Sequence, residues 1–592
     1  MTTGRASARE AIALVTDDFT QLPDPPGVGV GVGGNGPSAP DGPLGWPGYD
    51  ASRERAARRT GESESVVCGT ASVGGTRAVL IAFEFGFLGG SLGERTGDRL
   101  EAAYTYAREH RLPVVPLIAT GGSRMQEGML ALTQLQRVAR QSALTRQAGL
   151  PQVAVLRDPT TGGGWATLGA GADVVLALPD AQVGFAGSRV RPPDADPTAY
   201  TALAQFAAGA ADAVVPPAEL REVLGLWLRL LTDGTPEAHH PAEIRGTPGE
   251  PGATGPDTAR PPTPPGPETG TAPDETDPRT EARPKSLREA AALPAETHGP
   301  TAEAGVVPGT TDPTAEAGAV PGTTDPTTEA GAVPGTTDPT TEAGTVPGTT
   351  DPTAEAGTVP GAEGPGAEAR PESLRGPAPV PAALGVTDLP RTGWEAVRRA
   401  RAVERPRARA YLDAYFTQRL AISGDRCGGV DPDGMLCGFG VHQGRTVAYA
   451  AQTGAATRPA GYRTAARLIR LADRLGIPVL TLVDTPGAAN DAEAERQGAG
   501  AAIAELFGVV ATAGTPLTTL VIGEGGSGGA LALAAPGRTW ATPDSYFSVI
   551  APESAAAILK RPAREVEATA DQLRIRPQDL VELGVIRITE AR

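Results

Sequence analysis

The chain has 592 residues, a formal net charge of −17 and an isoelectric point near 5.0. It is too long for one ordinary domain, and its acidity argues against nucleic acid as a partner. No apolar run is long enough to cross a bilayer, so we expect no membrane span.

Cysteine and histidine are both scarce. The three cysteines have no CxxC spacing, which argues against a disulfide framework and a zinc ribbon and predicts a protein of the reducing cytoplasm. Only His110 and His442 lie outside a Pro-rich region, and both are interpreted as structural. A histidine-based triad or metal site is therefore not expected.

Composition divides the chain into four parts. Residues 1–44 are polar and rich in glycine and proline, which predicts a flexible tail. Periodic apolar sequence over 45–235 and again over 386–592 predicts two domains. Between them, residues 236–385 are rich in Pro, Thr, Glu, Ala and Gly, and a 13-residue unit repeats over 301–365. That unit has too few apolar side chains to form a core, so we predict a disordered acidic linker.

The two periodic halves follow the same order of elements. The predicted helices are residues 98–111 and 129–147 in the first half and 461–475 and 499–512 in the second. The predicted strands are residues 113–118, 153–156, 478–483 and 517–521. Alternating strands and helices predict an α/β fold with a mostly parallel sheet, in which ligands bind at the strand ends. The repetition suggests an ancient duplication.

Each half carries two glycine-rich turns at the same separation. Gly122 precedes Gly163 by 41 residues, and Gly487 precedes Gly528 by 41 residues (163 minus 122; 528 minus 487). A glycine turn between a strand and a helix exposes backbone N–H groups that can hold an anion. An isolated glycine pair is more often only a tight turn, but matched pairs in both halves favour sites that stabilise developing negative charge.

Several motifs resemble one known family. Residues 83–93, 121–127, 158–163 and 183–190 closely resemble the β subunit of bacterial acetyl-CoA carboxylase carboxyltransferase. Residues 461–463, 484–488, 523–530 and 547–553 resemble its α subunit. The resemblance covers residues 46–235 and 390–592 and implies two crotonase-like (ClpP-type) domains, each a ββα-superhelix, fused in one chain.

The chain departs from the family at three places. It lacks the four-cysteine zinc ribbon of the β subunit, so no zinc is expected. Ser123 stands where the family has alanine. Ala489, Asn490 and Asp491 replace the usual Tyr-Pro-Gly, which bears on the floor of the carboxybiotin pocket.

The resemblance implies a carboxyltransferase of a biotin-dependent acetyl-CoA carboxylase. Such an enzyme transfers a carboxyl group from carboxybiotin on a separate carrier protein to acetyl-CoA, or a related acyl-CoA, and forms malonyl-CoA. The sequence has no Met-Lys-Met biotin-attachment site and no ATP-grasp glycine loop. We therefore expect biotin carboxyl carrier protein and biotin carboxylase as partners, and a homodimer.

The same resemblance implies the site residues. Two oxyanions develop in this reaction, on the thioester enolate and on the ureido oxygen of biotin, and backbone N–H groups at glycine suit both. The implied catalytic residues are Gly162, Gly163, Gly528 and Gly529, with Gly122 and Ser123 beside them. The implied substrate-binding residues are Gly487, Ala488, Arg124, Arg189 and Arg463. For Arg124 a structural pair with Glu127 is the competing interpretation.

Two other functions remain open at this point. A malonyl-thioester decarboxylase would use the same fold, and a non-catalytic paralogue would serve as a scaffold. The motifs leave undecided whether acetyl-CoA or propionyl-CoA is preferred and whether the product feeds fatty-acid or polyketide synthesis. They also leave undecided which glycine pair serves which oxyanion.

Overall fold

The computed structural model describes residues 5–25, 40–232 and 376–588, all of which belong to one unit. The repeats at 301–365 and most of the predicted linker lie outside the described residues. The described chain forms two eight-stranded sheets, one from each half.

The strands of the two sheets correspond one to one. The first sheet contains β1 (Asp18–Gln21), β2 (Val66–Val73), β3 (Thr76–Phe83), β4 (Val114–Thr120), β5 (Val153–Thr161), β6 (Val174–Ala177), β7 (Val183–Gly184) and β8 (Ala213–Val214). The second contains β9 (Gln418–Ile422), β10 (Met435–His442), β11 (Arg445–Gln452), β12 (Val479–Thr485), β13 (Leu517–Gly526), β14 (Thr539–Ala541), β15 (Tyr546–Ser548) and β16 (Arg587–Ile588).

Helices connect the parallel strands and cover the sheets. Those of the first half are α1 (Ala8–Val15), α2 (Tyr49–Thr60), α3 (Glu94–Glu109), α4 (Gly128–Gln147), α5 (Gly162–Gly164, continued by a π-helical turn at Trp165–Gly169), α6 (Ala202–Ala207) and α7 (Leu220–Thr232). Those of the second half are α8 (Gly393–Arg401), α9 (Ala408–Tyr415), α10 (Pro459–Arg474), α11 (Ala492–Arg496), α12 (Ala499–Thr512), α13 (Ser527–Leu531), α14 (Pro552–Ile558), α15 (Val566–Gln572) and α16 (Pro577–Glu582). Short 3₁₀ turns lie at Leu88–Gly90, Met125–Glu127, Pro197–Tyr200 and Ala563–Glu565.

The two sheets have the same topology. The strand orders are β1-β2-β3-β4-β5-β6-β8 and β9-β10-β11-β12-β13-β14-β16, with β7 beside β5 and β15 beside β13. The first three strands of each sheet are antiparallel and the remaining pairs are parallel. This confirms the predicted α/β fold with a mostly parallel sheet in each half.

The registers of the sheets also repeat. In both halves the first two central strands shift register near their carboxyl ends, so that Thr120 pairs with Thr160 and Thr485 pairs with Gly525. Equivalent positions are therefore 365 residues apart (485 minus 120; 525 minus 160). A shared irregularity at the same place is specific evidence of duplication, because bulges are built-in features of a strand.

Among the described residues, three large apolar clusters and two small ones form the core. Alternate residues of β3 face opposite sides of the sheet: Leu80 packs in an outer cluster with α1 and α7, and Ile81 packs in the largest cluster. The second sheet has its own outer cluster, which includes Tyr411 of α9. The largest cluster contains side chains of both halves, including α4 and α12. Residues from both halves therefore share one continuous core.

The prediction of a flexible tail over 1–44 is wrong for residues 8–21. Helix α1 has a capping box between Ser7 and Glu10 and buries its apolar face, and β1 pairs with β2 at the edge of the sheet. The Ala8 N–H donates to Glu84 at 2.8 Å. The tail is thus the counterpart of α9 and β9 in the second half.

The predicted start of the second domain at 386 is late. Ala378 is buried, and the Pro379 carbonyl accepts a hydrogen bond from the Tyr415 hydroxyl at 2.9 Å. Residues 376–385, predicted as linker, therefore pack on the outer face of the second sheet.

Candidate functional site

The first glycine turn has the same structure in both halves. At the end of β4, the Thr120 hydroxyl accepts the Gly122 N–H at 3.1 Å, and at the end of β12 the Thr485 hydroxyl accepts the Gly487 N–H at 3.2 Å. Gly122 has φ +101° and Gly487 has φ +140°, which glycine adopts far more readily than other residues. Both glycines thus shape the turn, and their own N–H groups are used within it.

The next residue in each turn directs its N–H elsewhere. Ser123 forms a single parallel bridge with Leu92, and Ala488 forms the equivalent bridge with Thr457. In each case the bridge bonds use the flanking groups: Leu92 donates to the Gly122 carbonyl at 2.9 Å, and Thr457 donates to the Gly487 carbonyl at 3.2 Å. The N–H of the central residue in such a bridge points to the opposite side, so Ser123 and Ala488 each present an N–H away from the bridge.

The second glycine turn opens a helix in each half. Gly162 (φ +66°) and Ser527 (φ +53°) occupy equivalent left-handed positions after β5 and β13. The repeated register therefore pairs Gly163 with Gly528, and Gly164 with Gly529. The predicted spacing, which aligns Gly163 with Gly528, agrees with this register, whereas the two predicted donor sets, Gly162 with Gly163 and Gly528 with Gly529, do not occupy equivalent positions. N–H groups in the first turn of a helix have no carbonyl partner within it, so Gly163 and Gly528 each offer a donor.

Within each half the two turns lie in contact. A Cβ atom added at Gly162 would lie 3.1 Å from the Gly122 Cα, and one added at Gly122 would lie 3.9 Å from the Gly163 nitrogen. In the second half, a Cβ added at Gly529 would overlap the Ala488 nitrogen. The donors of the two turns are therefore neighbours in each half.

The two pairs of turns meet across the contact between the halves. A Cβ added at Gly528 would lie 3.3 Å from Cζ of Phe185 and 3.7 Å from Cδ1 of Leu135, which both belong to the first half. A Cβ added at Gly163 would overlap Leu135 as well. Leu135 of α4 therefore lies between the Gly163 turn and the Gly528 turn. Both turns belong to one chain.

A seam of hydrogen bonds joins residues 183–200 to residues 489–497. Glu495 accepts the N–H groups of Phe185 and Ala186 at 2.6 and 3.2 Å. The Tyr200 hydroxyl donates to the Asn490 carbonyl at 2.8 Å, and the Asn490 side chain donates to the Val190 carbonyl at 3.1 Å. Asn490, one of the departures from the family sequence, is thus a contact between the halves. We call these contacts the seam.

A buried ion-pair cluster fixes the first turn of the first half. The Arg124 guanidinium is fully buried and contacts Glu64, Glu127 and the Tyr49 hydroxyl. Burial alone would raise the pKa of Glu64, but the adjacent Arg124 holds that pKa below its ordinary value. The Arg124 side chain cannot reach a substrate from this position, so the prediction that it binds substrate is wrong. Its competing interpretation, a structural pair with Glu127, agrees with the structure.

A different ion pair supports the turn of the second half. Asp484, just before the turn, is bonded to Arg405 at 2.6 Å, and both side chains are buried. Asp484 also accepts the Glu524 N–H at 3.1 Å. Burial raises the pKa of Asp484 even though Arg405 opposes the shift. Glu524 itself pairs with Arg401 at 2.8 Å and accepts a hydrogen bond from the Tyr546 hydroxyl at 2.8 Å.

The remaining two predicted arginines lie in different settings. Arg189 is exposed in the loop that follows Phe185. Arg463 lies on α10, where it is half-buried and donates to Asp425 at 2.8 Å and to the Gln497 carbonyl at 3.1 Å. Arg463 is therefore already paired, whereas Arg189 has its side chain on the surface.

Sequence reasoning missed Leu135 and Glu495. Both lie on helices and looked like ordinary core and surface positions. Neither contact between the halves could be predicted from the neighbouring sequence, because the partner residues belong to the other half.

The ranges 5–25, 40–232 and 376–588 contain no group of three or more His, Cys, Asp or Glu side chains that could hold a metal ion. In the same ranges, no helix is both long and apolar enough to cross a membrane.

Both halves of the chain thus have the same sheet topology and the same two neighbouring glycine turns. The carboxyl transferase domain family matches residues 48–193, and the acetyl co-enzyme A carboxylase carboxyltransferase-like family matches residues 389–590. The chain is 32% identical to the acetyl-coenzyme A carboxylase carboxyl transferase subunits beta/alpha of Salinispora arenicola, over 98% of this chain and 81% of that protein. The corresponding protein of Saccharopolyspora erythraea is 30% identical, over 91% of this chain and 73% of that protein. Among solved structures, transcarboxylase 12S aligns with 99% of this chain and 87% of its own, at 14% identity and a TM-score of 0.30.

The chain belongs to the family of fused beta/alpha carboxyl transferase subunits of acetyl-CoA carboxylase. It is an enzyme, the carboxyltransferase of a biotin-dependent acetyl-CoA carboxylase. The predicted family, the predicted α/β fold with one sheet domain in each half and the predicted function are thereby confirmed.

Proposed function

We propose that each half supplies one pair of backbone donors for a developing oxyanion. In the first half the donors are the N–H groups of Ser123 and Gly163, and in the second they are those of Ala488 and Gly528. The observation that carries the proposal is the contact of the two turns in each half, where the N–H of the bridge residue, directed away from the bridge, lies beside an N–H from a helix start.

The two pairs serve two different oxyanions. The first-half pair acts on the thioester oxygen of acetyl-CoA as its enolate forms, and the second-half pair acts on the ureido oxygen of biotin. Carboxybiotin supplies the carboxyl group. Fixed N–H dipoles stabilise such charge without reorganisation, and removing one donor typically costs about 3 kcal/mol of transition-state stabilisation.

The glycine turns of the second half fit a flat ureido ring. Gly487 and Ala488 are half-buried and so reach solvent, and Gly528 beside them carries no side chain. Any side chain on Gly529 would overlap the Ala488 nitrogen and lie 2.6 Å from the Tyr462 hydroxyl. Two adjacent donors with no side chain between them allow close approach of a carbonyl-type oxygen.

Leu135 separates the two pairs, and Phe185 borders the second one. Leu135 lies against both the Gly163 and the Gly528 turns, and Phe185 lies against the Gly528 turn. They keep water from the space between the two oxyanions, which strengthens each N–H contact. Arg189, exposed in the loop after Phe185, is the candidate contact for the phosphates of coenzyme A. Arg463 is a weaker candidate, because Asp425 already pairs with it.

The proposal includes partners that this chain does not contain. A separate biotin carboxyl carrier protein and a biotin carboxylase deliver carboxybiotin. We expect the chain to form a homodimer and to need no zinc. The three free cysteines agree with the prediction of a cytoplasmic location.

Reconstitution tests this function. The chain alone, given acetyl-CoA, ATP and bicarbonate, is expected to form no malonyl-CoA, and adding biotin carboxylase and biotinylated carrier is expected to restore the product. A panel of acyl-CoAs, scored by product mass, determines the preference between acetyl and propionyl groups. Malonyl-CoA formation by the chain alone would refute the subunit role, and carrier-independent release of CO₂ from malonyl-CoA would favour the decarboxylase.

A further inference from the structure

Glu495 makes an unusual contact across the seam. Its side chain is 1% exposed. One carboxylate oxygen, Oε1, accepts both the Phe185 N–H at 2.6 Å and the Ala186 N–H at 3.2 Å. The other oxygen, Oε2, is buried and has no hydrogen-bond partner among the described residues. Burying a carboxylate with one unpaired oxygen costs free energy of folding. The burial of Glu495 therefore lowers the stability of the fold.

The segment that Glu495 holds also touches the second-half glycine turn. The ring of Phe185 lies against Gly528, where an added Cβ would be 3.3 Å from Cζ. Phe185 is therefore fixed at its backbone by Glu495, while its ring contacts the Gly528 turn. A displacement of this backbone would move the ring that borders the proposed donor.

The guanidinium of Arg191 contacts the same residue, Ala186, at its carbonyl group. The Arg191 guanidinium donates to the Ala186 carbonyl at 2.9 Å and lies 3.8 Å from the centre of the Tyr200 ring. Its Nη2 atom is buried without a hydrogen-bond partner among the described residues. The Ala186 residue is thus bracketed by a carboxylate on its N–H and a guanidinium on its carbonyl.

We propose that Glu495 is a positioning residue for carboxyl transfer, which fixes the Phe185–Ala186 backbone across the seam and thereby places the Phe185 ring against the Gly528 turn. The inference rests on the proposed role of Gly528. Glu495 touches no substrate and acts through Phe185. The first half has no counterpart, because the equivalent of Glu495 is Leu130, 365 residues earlier.

The charge state of Glu495 makes the seam sensitive to pH. Burial raises the pKa of Glu495 to about 7, and the nearby Asp491 adds to the shift, while the two backbone N–H groups and Arg191 oppose it. Tyr200 is the other titratable group that faces this carboxyl. Because the folded pKa is raised, the stability that the neutral carboxyl contributes is complete below the ordinary pKa near 4.5 and is lost as the pH rises through about 7.

Amide hydrogen exchange on the full chain tests the contact directly. Mass spectrometry of the peptide covering residues 183–190 reports protection of the Phe185 and Ala186 amides. Glu495→Ala is expected to raise their exchange rate about tenfold or more, whereas Glu495→Gln, which keeps an acceptor oxygen, is expected to preserve most of the protection. Glu493→Ala is the matched control, because Glu493 lies on the same helix and bonds only to Gln497 among the described residues.

Two further measurements separate a positioning role from a merely structural one. Across pH 5 to 8, the unfolding temperature of Glu495→Gln is expected to rise relative to wild type as the pH increases. In the reconstituted transfer assay, Glu495→Ala is expected to lower kcat/KM roughly tenfold or more, since small misplacements near a reacting centre are costly. Should Glu495→Ala fail to fold, Glu495→Asp replaces it, because its shorter side chain cannot reach both amides.

Unchanged exchange at residues 185 and 186 in Glu495→Ala would overturn the proposal. Faster exchange with wild-type kcat/KM would also overturn it, since the contact would then have no catalytic effect. Neither result touches the donor assignment, which is tested by the glycine variants themselves. A failure of the positioning role and a failure of the proposed function are therefore distinguishable.

Discussion

The two halves share a backbone and differ in what supports it. Both first turns use a threonine hydroxyl, a left-handed glycine and a parallel bridge in the same register. The first-half turn is held by Arg124 with Glu64, whereas the second-half turn is held by Asp484 with Arg405. The position equivalent to Asp484 is Ala119. The backbone geometry that presents the donors has thus been kept after duplication, while the charges around it have diverged.

This difference gives the halves opposite responses to pH. The pKa of Glu64 lies below its ordinary value because Arg124 outweighs burial, so its contribution to stability is lost as the pH falls. The pKa of Asp484 is raised mainly by burial, so the stability linked to its neutral form is lost as the pH rises. A falling pH therefore weakens the contact between Glu64 and Arg124 at the first-half turn, and a rising pH removes the stability linked to neutral Asp484 at the second-half turn.

The contact between the halves is asymmetric in the same way. Leu135 on α4 reaches the Gly528 turn, whereas its equivalent on α12 is Gly500, against which the Trp165 ring packs. Leu135 of α4 thus faces both the Gly163 turn of its own half and the Gly528 turn of the second half. One shared core thus borders both of the proposed oxyanion sites through different side chains.

Arg405→Leu is expected to have the largest effect on stability. It removes the close partner of the buried Asp484 carboxylate, which then keeps only the Glu524 N–H at 3.1 Å and the Arg407 guanidinium at 3.7 Å. Breaking such a buried pair typically costs about 3–5 kcal/mol. The double variant Arg405→Leu/Asp484→Ala reproduces the alanine of the first half and is expected to be less destabilised than the single variant. Urea unfolding at pH 8 measures both, and a double variant as unstable as the single would contradict the comparison.

Alanine substitutions at Gly163 and Gly529 are expected to differ in their effect, because the neighbours of Gly163 can adapt to an added methyl group and those of Gly529 cannot. At Gly163 the added methyl group meets the flexible end of Leu135, whereas at Gly529 it meets the backbone nitrogen of Ala488. Combining Gly163→Ala with Leu135→Ala is therefore expected to give a favourable coupling of about 1–2 kcal/mol. Double-mutant cycles in urea measure the coupling.

No trimmed side chain is expected to rescue Gly529→Ala. Its matched control is Tyr462→Phe, which removes the hydroxyl 2.6 Å from the added Cβ but leaves the Ala488 nitrogen in place. Full rescue by Tyr462→Phe would show that the second-half turn is as adaptable as the first.

Neutralising one acid in each half is expected to expose the opposite pH responses. Glu64→Gln weakens a charge-assisted contact and is expected to cost about 2 kcal/mol near pH 7, with the loss shrinking as the pH falls below the ordinary glutamate pKa of 4.5. Asp484→Asn is expected to gain stability relative to wild type as the pH rises above the ordinary aspartate pKa of 3.8. Unfolding temperatures at matched pH values test both, and parallel trends in the two variants would refute the contrast.

Removing residues 301–365 is expected to have the smallest effect. The repeat has too few apolar side chains for a core, and the remaining residues still connect Thr232 to Gly376. Folding and turnover of the shortened chain are expected to match those of the full chain within about twofold. A cooperative loss of stability on deletion would show that the repeats form structure.

Local patterns predicted most of the sheet and its turns. The apolar runs and matched glycine spacing identified the central strands, because each is encoded within a few residues. Helix α1 was equally readable, since Ser7 and Glu10 form a capping box before apolar residues at 8, 11, 12 and 15. The neighbouring glycine- and proline-rich sequence masked that signal in a reading based on composition.

The seam could not be predicted in this way. Glu495 and Phe185 are 310 residues apart in sequence, and a glutamate within a polar helical segment resembles a solvated surface residue. Arg124 illustrates the opposite error, because an arginine beside a glycine turn suggested a ligand contact until its buried partner Glu64 was located. In both cases the decisive contact belongs to a distant element.

The central claim is that the glycine turns of the two halves serve two different substrates. The most direct test compares Gly163→Val, which alters a proposed donor of the first half, with Gly529→Val, whose side chain would overlap the nitrogen of the proposed donor Ala488. Both variants are measured in two assays, full transfer to acetyl-CoA and decarboxylation of carboxybiotin without acyl-CoA. Both variants are expected to lose roughly a hundredfold or more in full transfer. Decarboxylation is expected to survive in Gly163→Val and to be lost in Gly529→Val. If both variants fold and lose the two activities equally, or retain wild-type turnover, the division of labour between the halves is contradicted.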